Sequence, residues 1–304
     1  MNKQDLINYG KDLGLKQSDI EKIIQKEADL TISQLFLLEE IDDKYIENIK
    51  SSFDRLKKGE PLEYILNKAE FYGLDFYVDN RVLIPRNDTE VMVKEVINEL
   101  NNTPISTPFP LQEKGNSYMT LIDVGTGSGA IPISVLKNTD KINKCYAIEL
   151  SQEALEVAKI NVEIHGLENK IELINGDLLT PFLSPTTYNL LSTIIITANL
   201  PYIRTGDYKS MDDSVVFYEP DLALYGGEKT GFELYEKLIE QCLELKEKLY
   251  SPTARGELEG GLTLFIEIGY DQYEYSKNYL KNLGLNFEYF KDNSGIYRCV
   301  KIEF

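Results

Sequence analysis

The chain has 304 residues, 42% of them hydrophobic and 27% charged, with a formal net charge of −18. No apolar run approaches the roughly 20 residues of a membrane helix, and the polar N-terminus lacks the apolar centre of a signal peptide, so a cytoplasmic protein without membrane association is expected. Three scattered cysteines (Cys145, Cys242 and Cys299) provide neither a disulfide framework nor metal-ligand spacing, so no metal is expected; the acidity argues against direct nucleic-acid binding, which draws on phosphate neutralisation, and favours a protein or small-molecule substrate.

Residues 1–60 read as a small helical bundle. Ser18 and Glu21 make an N-cap and N3 pair, with Ile20, Ile23 and Ile24 at helical spacing behind them. Thr31 or Ser33 starts another helix through Leu35, Leu37 and Leu38. Ile46, Ile49, Phe53 and Leu56 form one stripe of a helix over 42–58, which Gly59 ends and Pro61 keeps from resuming. Nothing reactive clusters here, so the bundle is expected to dock a substrate. Residues 61–88 read as a linker, in which the alternating aromatic run around Gly73 predicts a β-hairpin. Leu83-Ile84-Pro85-Arg86-Asn87-Asp88-Thr89-Glu90 then leads into a helix over 89–100. Its acids suit the positive end of the helix dipole, and Arg86 is placed to face a cleft. Residues 101–116, rich in Pro, Ser, Thr and Asn, read as a long loop.

From Met119, strands at 120–124, 144–148, 171–174, 194–197 and 262–268 alternate with helices after Gly129 and over 154–165, 231–249 and 273–283. Closing strands at 287–290 and 297–304 fit an edge hairpin. Residues 89–304 are therefore expected to form an α/β domain around a seven-stranded, doubly wound sheet, with 251–260 as an irregular insertion. Cys145 falls in a strand pattern and reads as core. His165, the only histidine, precedes Gly166 at a helix end and reads as a partner for the helix dipole rather than a catalyst.

Two strand ends carry the chemistry. Asp123-Val124-Gly125-Thr126-Gly127-Ser128-Gly129 joins the first strand of this sheet to its helix; glycines there let the backbone approach a ligand closely, and the helix N-terminus favours negative charge. Glu149, at the end of the next strand, is placed to hold ribose hydroxyls. A nicotinamide dinucleotide and S-adenosylmethionine (SAM) both fit this pattern. Asp123 two positions before the first glycine, the third glycine at 129, and Asp177 at the end of a third strand tilt the reading to SAM. The second site is Asn199-Leu200-Pro201-Tyr202, beyond the β-branched run at 194–197, where α/β proteins place their ligands. An amide, a stiffened turn that biases Leu200 toward extended backbone and a flat ring are suitable parts for gripping a planar amino or amide nitrogen.

These motifs, with Pro61-Leu62-Glu63-Tyr64-Ile65, Glu70-Phe71-Tyr72-Gly73, Glu219-Pro220, Ala223-Leu224, Gly226-Gly227, Glu267-Ile268-Gly269, Asp292, Gly295 and Arg298, resemble the release factor glutamine methyltransferase family, in that family's order from about residue 61 onward. The resemblance implies a SAM-dependent methyltransferase (Rossmann-like) domain that methylates N5 of the glutamine in the Gly-Gly-Gln loop of peptide chain release factors. It implies SAM contacts from Gly125, Thr126, Gly127, Ser128, Gly129, Glu149, Asp177, Leu178 and Asn199. It also implies that Asn199, Leu200, Pro201 and Tyr202 are catalytic and hold the glutamine; Arg86 is placed with them at the substrate. Three residues depart from the family's pattern: Leu200 stands where proline is usual, Glu149 where aspartate is common, and Leu178 where an aromatic often covers adenine. The alternative is a nucleic-acid exocyclic-amine methyltransferase acting on adenine N6 or on cytosine, which uses the same Asn-x-Pro-Tyr device but must extrude its base; the −18 charge weighs against it.

Overall fold

The computed structural model describes residues 1–103, 119–183, 193–207, 212–249 and 261–304. Most of the loop expected over 101–116 and the whole insertion expected over 251–260 lie outside the described residues. Five helices open the chain: α1 (Lys3–Asp12), α2 (Gln17–Ala28), α3 (Ile32–Leu37), α4 (Asp43–Lys57) and α5 (Leu62–Leu66). Their apolar stripes meet in one cluster that includes Leu6, Ile20, Ile24, Ile49, Phe53 and Ile65. Thr31 starts α3 through a full capping box with Gln34, as its spacing predicts. Ser18 is not a cap. Helix α2 begins at Gln17 with Lys16 at its N-cap, which lets Gln17 donate to Glu21 one turn on (2.7 Å), while the Ser18 hydroxyl turns to Asp19. Nor does Pro61 keep the helix from resuming. It stands at the N-cap of α5, where a missing N–H and a fixed φ cost nothing.

The hairpin pairs β1 (Ala69–Phe71) with β2 (Leu74–Phe76) antiparallel. Tyr72 and Gly73 both have positive φ, 51° and 72°, as a two-residue turn matched to strand twist requires. A 3-10 turn over Asn87–Thr89 leads into α6 (Glu90–Asn102). The chain then alternates through β3 (Met119–Val124), α7 (Ala130–Asn138), β4 (Ile142–Glu149), α8 (Gln152–Ile164), β5 (Ile171–Asn175), α9 (Thr180–Leu183) and β6 (Thr193–Ala198). After β6 come β7 (Ile203–Arg204), α10 (Asp213–Tyr218), β8 (Tyr225–Gly227), α11 (Glu233–Leu249), β9 (Leu262–Glu267), α12 (Tyr273–Asn282), β10 (Asn286–Lys291) and β11 (Tyr297–Glu303).

The main sheet has seven strands in the order β10-β11-β9-β6-β3-β4-β5. It is parallel except for β11, which is antiparallel to both β9 and β10. Covering both faces is why the central strands read as mainly apolar runs. Ile122, Val124, Ile194 and Ile196 point to the layer that contains Phe232, just before α11, and Tyr235 within it. Leu121 and Ile195, one residue out of phase, join Val93, Val96 and Ile133 of α6 and α7 on the other face. Cys145 is fully buried. His165 caps the C-terminus of α8, and its Nε2 lies 3.0 Å from the Asp75 carbonyl oxygen, so its ring also ties α8 to the hairpin. After β3 the chain builds outward through β4 and β5, then returns to β6 on the other side. This reversal opens a crevice beyond the carboxyl ends of β3 and β6, the usual ligand position in such sheets.

Candidate active site

The glycine loop leaves β3 at Gly125. Gly125, Gly127 and Gly129 all have positive φ (71°, 53° and 79°), backbone that side-chain-bearing residues rarely adopt. The Gly125 and Thr126 amides donate to the Ile148 carbonyl at 2.9 and 3.0 Å. Glu149 ends β4 and clamps the same loop: one carboxylate oxygen accepts from Gly127 N–H (2.9 Å), the other from Ser151 N–H (3.0 Å). Asp123 is buried. One of its oxygens accepts from the Thr197 hydroxyl at 2.6 Å, and the other has no partner. Burial raises its pKa to about 6, opposed by the Thr126 and Thr197 hydroxyls and reinforced by the Glu149 charge. Leu178 is buried at positive φ (52°). Asp177 is held by Lys237 of α11 at 2.6 Å, a partner the sequence reading did not foresee.

Asn199 follows β6. Its Nδ2 donates to the Thr89 hydroxyl at 3.2 Å, and among the described residues no protein group donates to its Oδ1. Both polar groups of the Leu200 backbone meet the buried Tyr235 hydroxyl, which accepts from Leu200 N–H and donates to the Leu200 carbonyl, each at 3.0 Å. Burial pushes the Tyr235 phenol far up, so it keeps its proton. The Tyr202 hydroxyl donates to Glu267 at 3.2 Å, and the Tyr202 carbonyl accepts from Gln272 Nε2 at 3.1 Å. Glu267 is 2% exposed; burial raises its pKa to about 7, against the opposing effects of Thr89, Arg298 and Tyr202.

The glycines of the Gly226-Gly227 and Gly231 segment exist to admit this turn. A Cβ on Gly226 would stand 2.1 Å from the Pro201 carbonyl oxygen, and one on Gly231 2.1 Å from that of Tyr202. Arg86 reaches the crevice but is not free there: it donates to Glu219, which is 5% exposed. Glu219 is in turn raised by burial and lowered by Arg86. Arg298 fastens the same segment from behind, 3.1 Å from Asp88, while its Nη1 donates to the Ile268 carbonyl.

The two strand-end sites share one cavity of about 450 Å³, lined by Gly125 to Ser128, Glu149, Asp177, Leu178, Asn199 to Pro201 and Arg86. Of the expected site residues, Gly129 and Tyr202 do not line it. Gly129 is the N-cap of α7; Tyr202 is drawn toward Glu267. The positive-φ glycine backbone, the Glu149 and Asp177 carboxylates and the apolar Leu178, all lining the same cavity, fit a ligand with the amino-acid, ribose and base parts of SAM. Sequence reasoning missed Tyr235, and named Thr89, Glu219 and Glu267 within motifs without giving them a role. An acid inside the apolar strand Leu262–Glu267 signals Glu267; Tyr235, on an apolar helix stripe, gives no such signal. Among the described residues, no cluster of metal-ligating side chains occurs.

The reversed sheet, the glycine loop after β3 and the acid ending β4 define a Rossmann-like methyltransferase. Residues 112–198 match a family model described as Methyltransferase domain. The N-terminal domain of human METTL16 superposes with a TM-score of 0.50 at 15% identity, over 94% of this chain and 93% of that one. Its catalytic domain in complex with the MAT2A 3′UTR hairpin 1 gives 0.53 at 15%, over 97% and 90%. These likenesses concern the fold alone. The chain is 34% identical to the release factor glutamine methyltransferase of Clostridium acetobutylicum, over 88% of this chain and 85% of that protein. It is 32% identical to that of Dictyoglomus turgidum, over 88% and 84%. The protein belongs to the release factor glutamine methyltransferase family.

Proposed function

We propose that this protein methylates N5 of the glutamine in the Gly-Gly-Gln loop of peptide chain release factors, with SAM as donor. The observation that carries this reading is the orientation of Asn199. Its NH₂ is taken up by Thr89, which leaves its carbonyl oxygen to face a substrate across the same cavity as the glycine loop. The Asn199 Oδ1 and the free acceptor position of the Leu200 carbonyl each take one N–H of the glutamine amide. The amide plane is fixed, and the nitrogen lone pair turns toward the methyl group; alignment of this kind supplies several kcal/mol. Tyr202, anchored by Glu267, supports the turn from behind. Gly125, Gly127 and Thr126 hold the donor's amino-acid end, and Glu149 its ribose. Asp177 and Leu178 border its base. SAM supplies an electrophilic methyl on a sulfonium. The chain contributes orientation and exclusion of water, and the amide proton leaves to solvent after transfer.

The helical residues 1–60 dock the folded release factor, 61–88 link, and 89–304 perform the transfer. The test is incubation with SAM and recombinant release factors, with a duplex DNA and an RNA as controls, and mass-spectrometric location of the added methyl. A methyl on the Gly-Gly-Gln glutamine is expected; transfer to nucleic acid alone would overturn the reading. Asn199→Ala should abolish transfer while SAM binding, followed by calorimetry, persists.

A further inference from the structure

We propose that Tyr235 is a positioning residue for methyl transfer: its one hydroxyl binds both the N–H and the carbonyl of Leu200 and thereby sets the direction of the Leu200 carbonyl. The inference rests on the amide-binding reading of the Asn199–Tyr202 turn. Leu200 brings an N–H into a buried turn. A proline there would have none to satisfy. Leu200 is 4% exposed and Tyr235 fully buried, so water does not supply the missing partner. One phenol meets both needs, accepting from Leu200 N–H and donating to the Leu200 carbonyl, each at 3.0 Å. A carbonyl oxygen has two acceptor positions. With one fixed by Tyr235, the other points in a set direction. The Leu200 side chain is also tied to the donor side: a Cβ on Gly125 would lie 2.8 Å from Leu200 Cδ2. The clamp on Leu200 therefore also helps to set the substrate turn against the glycine loop.

Two measurements test it. The first is independent of the reaction: hydrogen exchange of the Leu200 amide by NMR in leucine-labelled protein, with the amides of β6 as internal reference. Tyr235→Phe should speed Leu200 exchange at least tenfold relative to that reference; an unchanged ratio overturns the clamp. The second is steady-state methyl transfer to release factor. Tyr235→Phe should lower kcat about tenfold, a loss of the size expected from slight misplacement of reacting groups, with KM for SAM within about twofold of the native value. Leu200→Pro in the Tyr235→Phe background should recover part of that loss, because it deletes the stranded N–H. A role for Tyr235 in packing alone predicts instead that the two losses multiply, and that result also overturns the proposal. Were the native protein inactive on release factors, the functional reading would fall while the exchange experiment still decided the clamp.

Discussion

In the proposed mechanism Asn199 works only if its amide is the right way round, and the group that decides this is a single hydroxyl, Thr89 Oγ1. Thr89→Val keeps the shape and removes the acceptor, which costs roughly 1 kcal/mol of orientation. Its kcat should fall about five- to tenfold with SAM affinity unchanged, and Thr89→Ser should restore most of it; equal activity in the valine variant would show that Asn199 orients itself. Glu267 and Asp123 carry a pH signature. Burial lifts Glu267 from 4.5 to about 7 and Asp123 from 3.8 to about 6. Between the ordinary and the raised values the folded chain holds protons that the unfolded chain has lost, so stability falls as pH rises through about 4 to 7. Glu267→Gln removes about half of that titration. Its melting temperature should decline less steeply than the native one across the same window, on the order of a few kcal/mol in all; parallel curves would place the pH dependence elsewhere.

At the scale of elements, the turn after β6 is held by what β8 and the start of α11 lack. Gly226→Ala drives a methyl to 2.1 Å from the Pro201 carbonyl oxygen, and Gly231→Ala drives one equally close to Tyr202 while also straining a φ of 71°. Each should lose methyl transfer and several kcal/mol of stability, as strained overpacking does. Gly14→Ala, with a φ of 88° but nothing within 4 Å, should cost only about 1 kcal/mol by the same thermal melts. The strands of the sheet were legible because a strand buried on both faces must be mainly apolar, and β3, β6 and β9 are, with the acids Asp123 and Glu267 only near the carboxyl ends of β3 and β9. The glycine loop and the Asn-Leu-Pro-Tyr turn were legible because they break that pattern at strand ends. The start of α2 was misread because Ser18 has the chemistry of a cap, while the backbone starts two residues earlier, with Lys16 at the N-cap and Gln17 reaching Glu21. The pairings made by Lys237, Tyr235 and Thr89 were not legible: they act across 60, 35 and 110 residues of chain respectively, and nothing local marks the partner, even where Thr89 itself stands in a recognised motif.

Across the whole molecule, the helical cluster and the sheet are joined through a small apolar patch of Tyr64, Val78, Val82 and Ile84 with Ala154 and Val157. Tyr64 also donates to the Val82 carbonyl, and the Tyr218 hydroxyl to that of Lys58. Because Ile65 of α5 packs in the helical cluster, a clean truncation removes residues 1–67 rather than 1–60. Such a chain should retain SAM binding by calorimetry and lose at least about tenfold in kcat/KM on folded release factor, the order of effect expected when remote binding energy is removed. A short Gly-Gly-Gln peptide should be methylated as well as by the full chain. Unchanged activity on the folded factor would remove docking from the helical region.

Helix α11 touches both halves of the cavity. Tyr235 grips the turn at Leu200, Lys237 pairs with Asp177, and Gln241 accepts from the Leu179 amide at 2.8 Å. Donor bay and acceptor bay are thus bolted to a single rod, spaced by helical rise over Tyr235 to Gln241. A tilt of that rod carries both bays together and leaves the gap between them unaltered. The separation over which a methyl must jump is insulated from the small motions of the surrounding sheet, as a workpiece and its tool are when both are mounted on one jig.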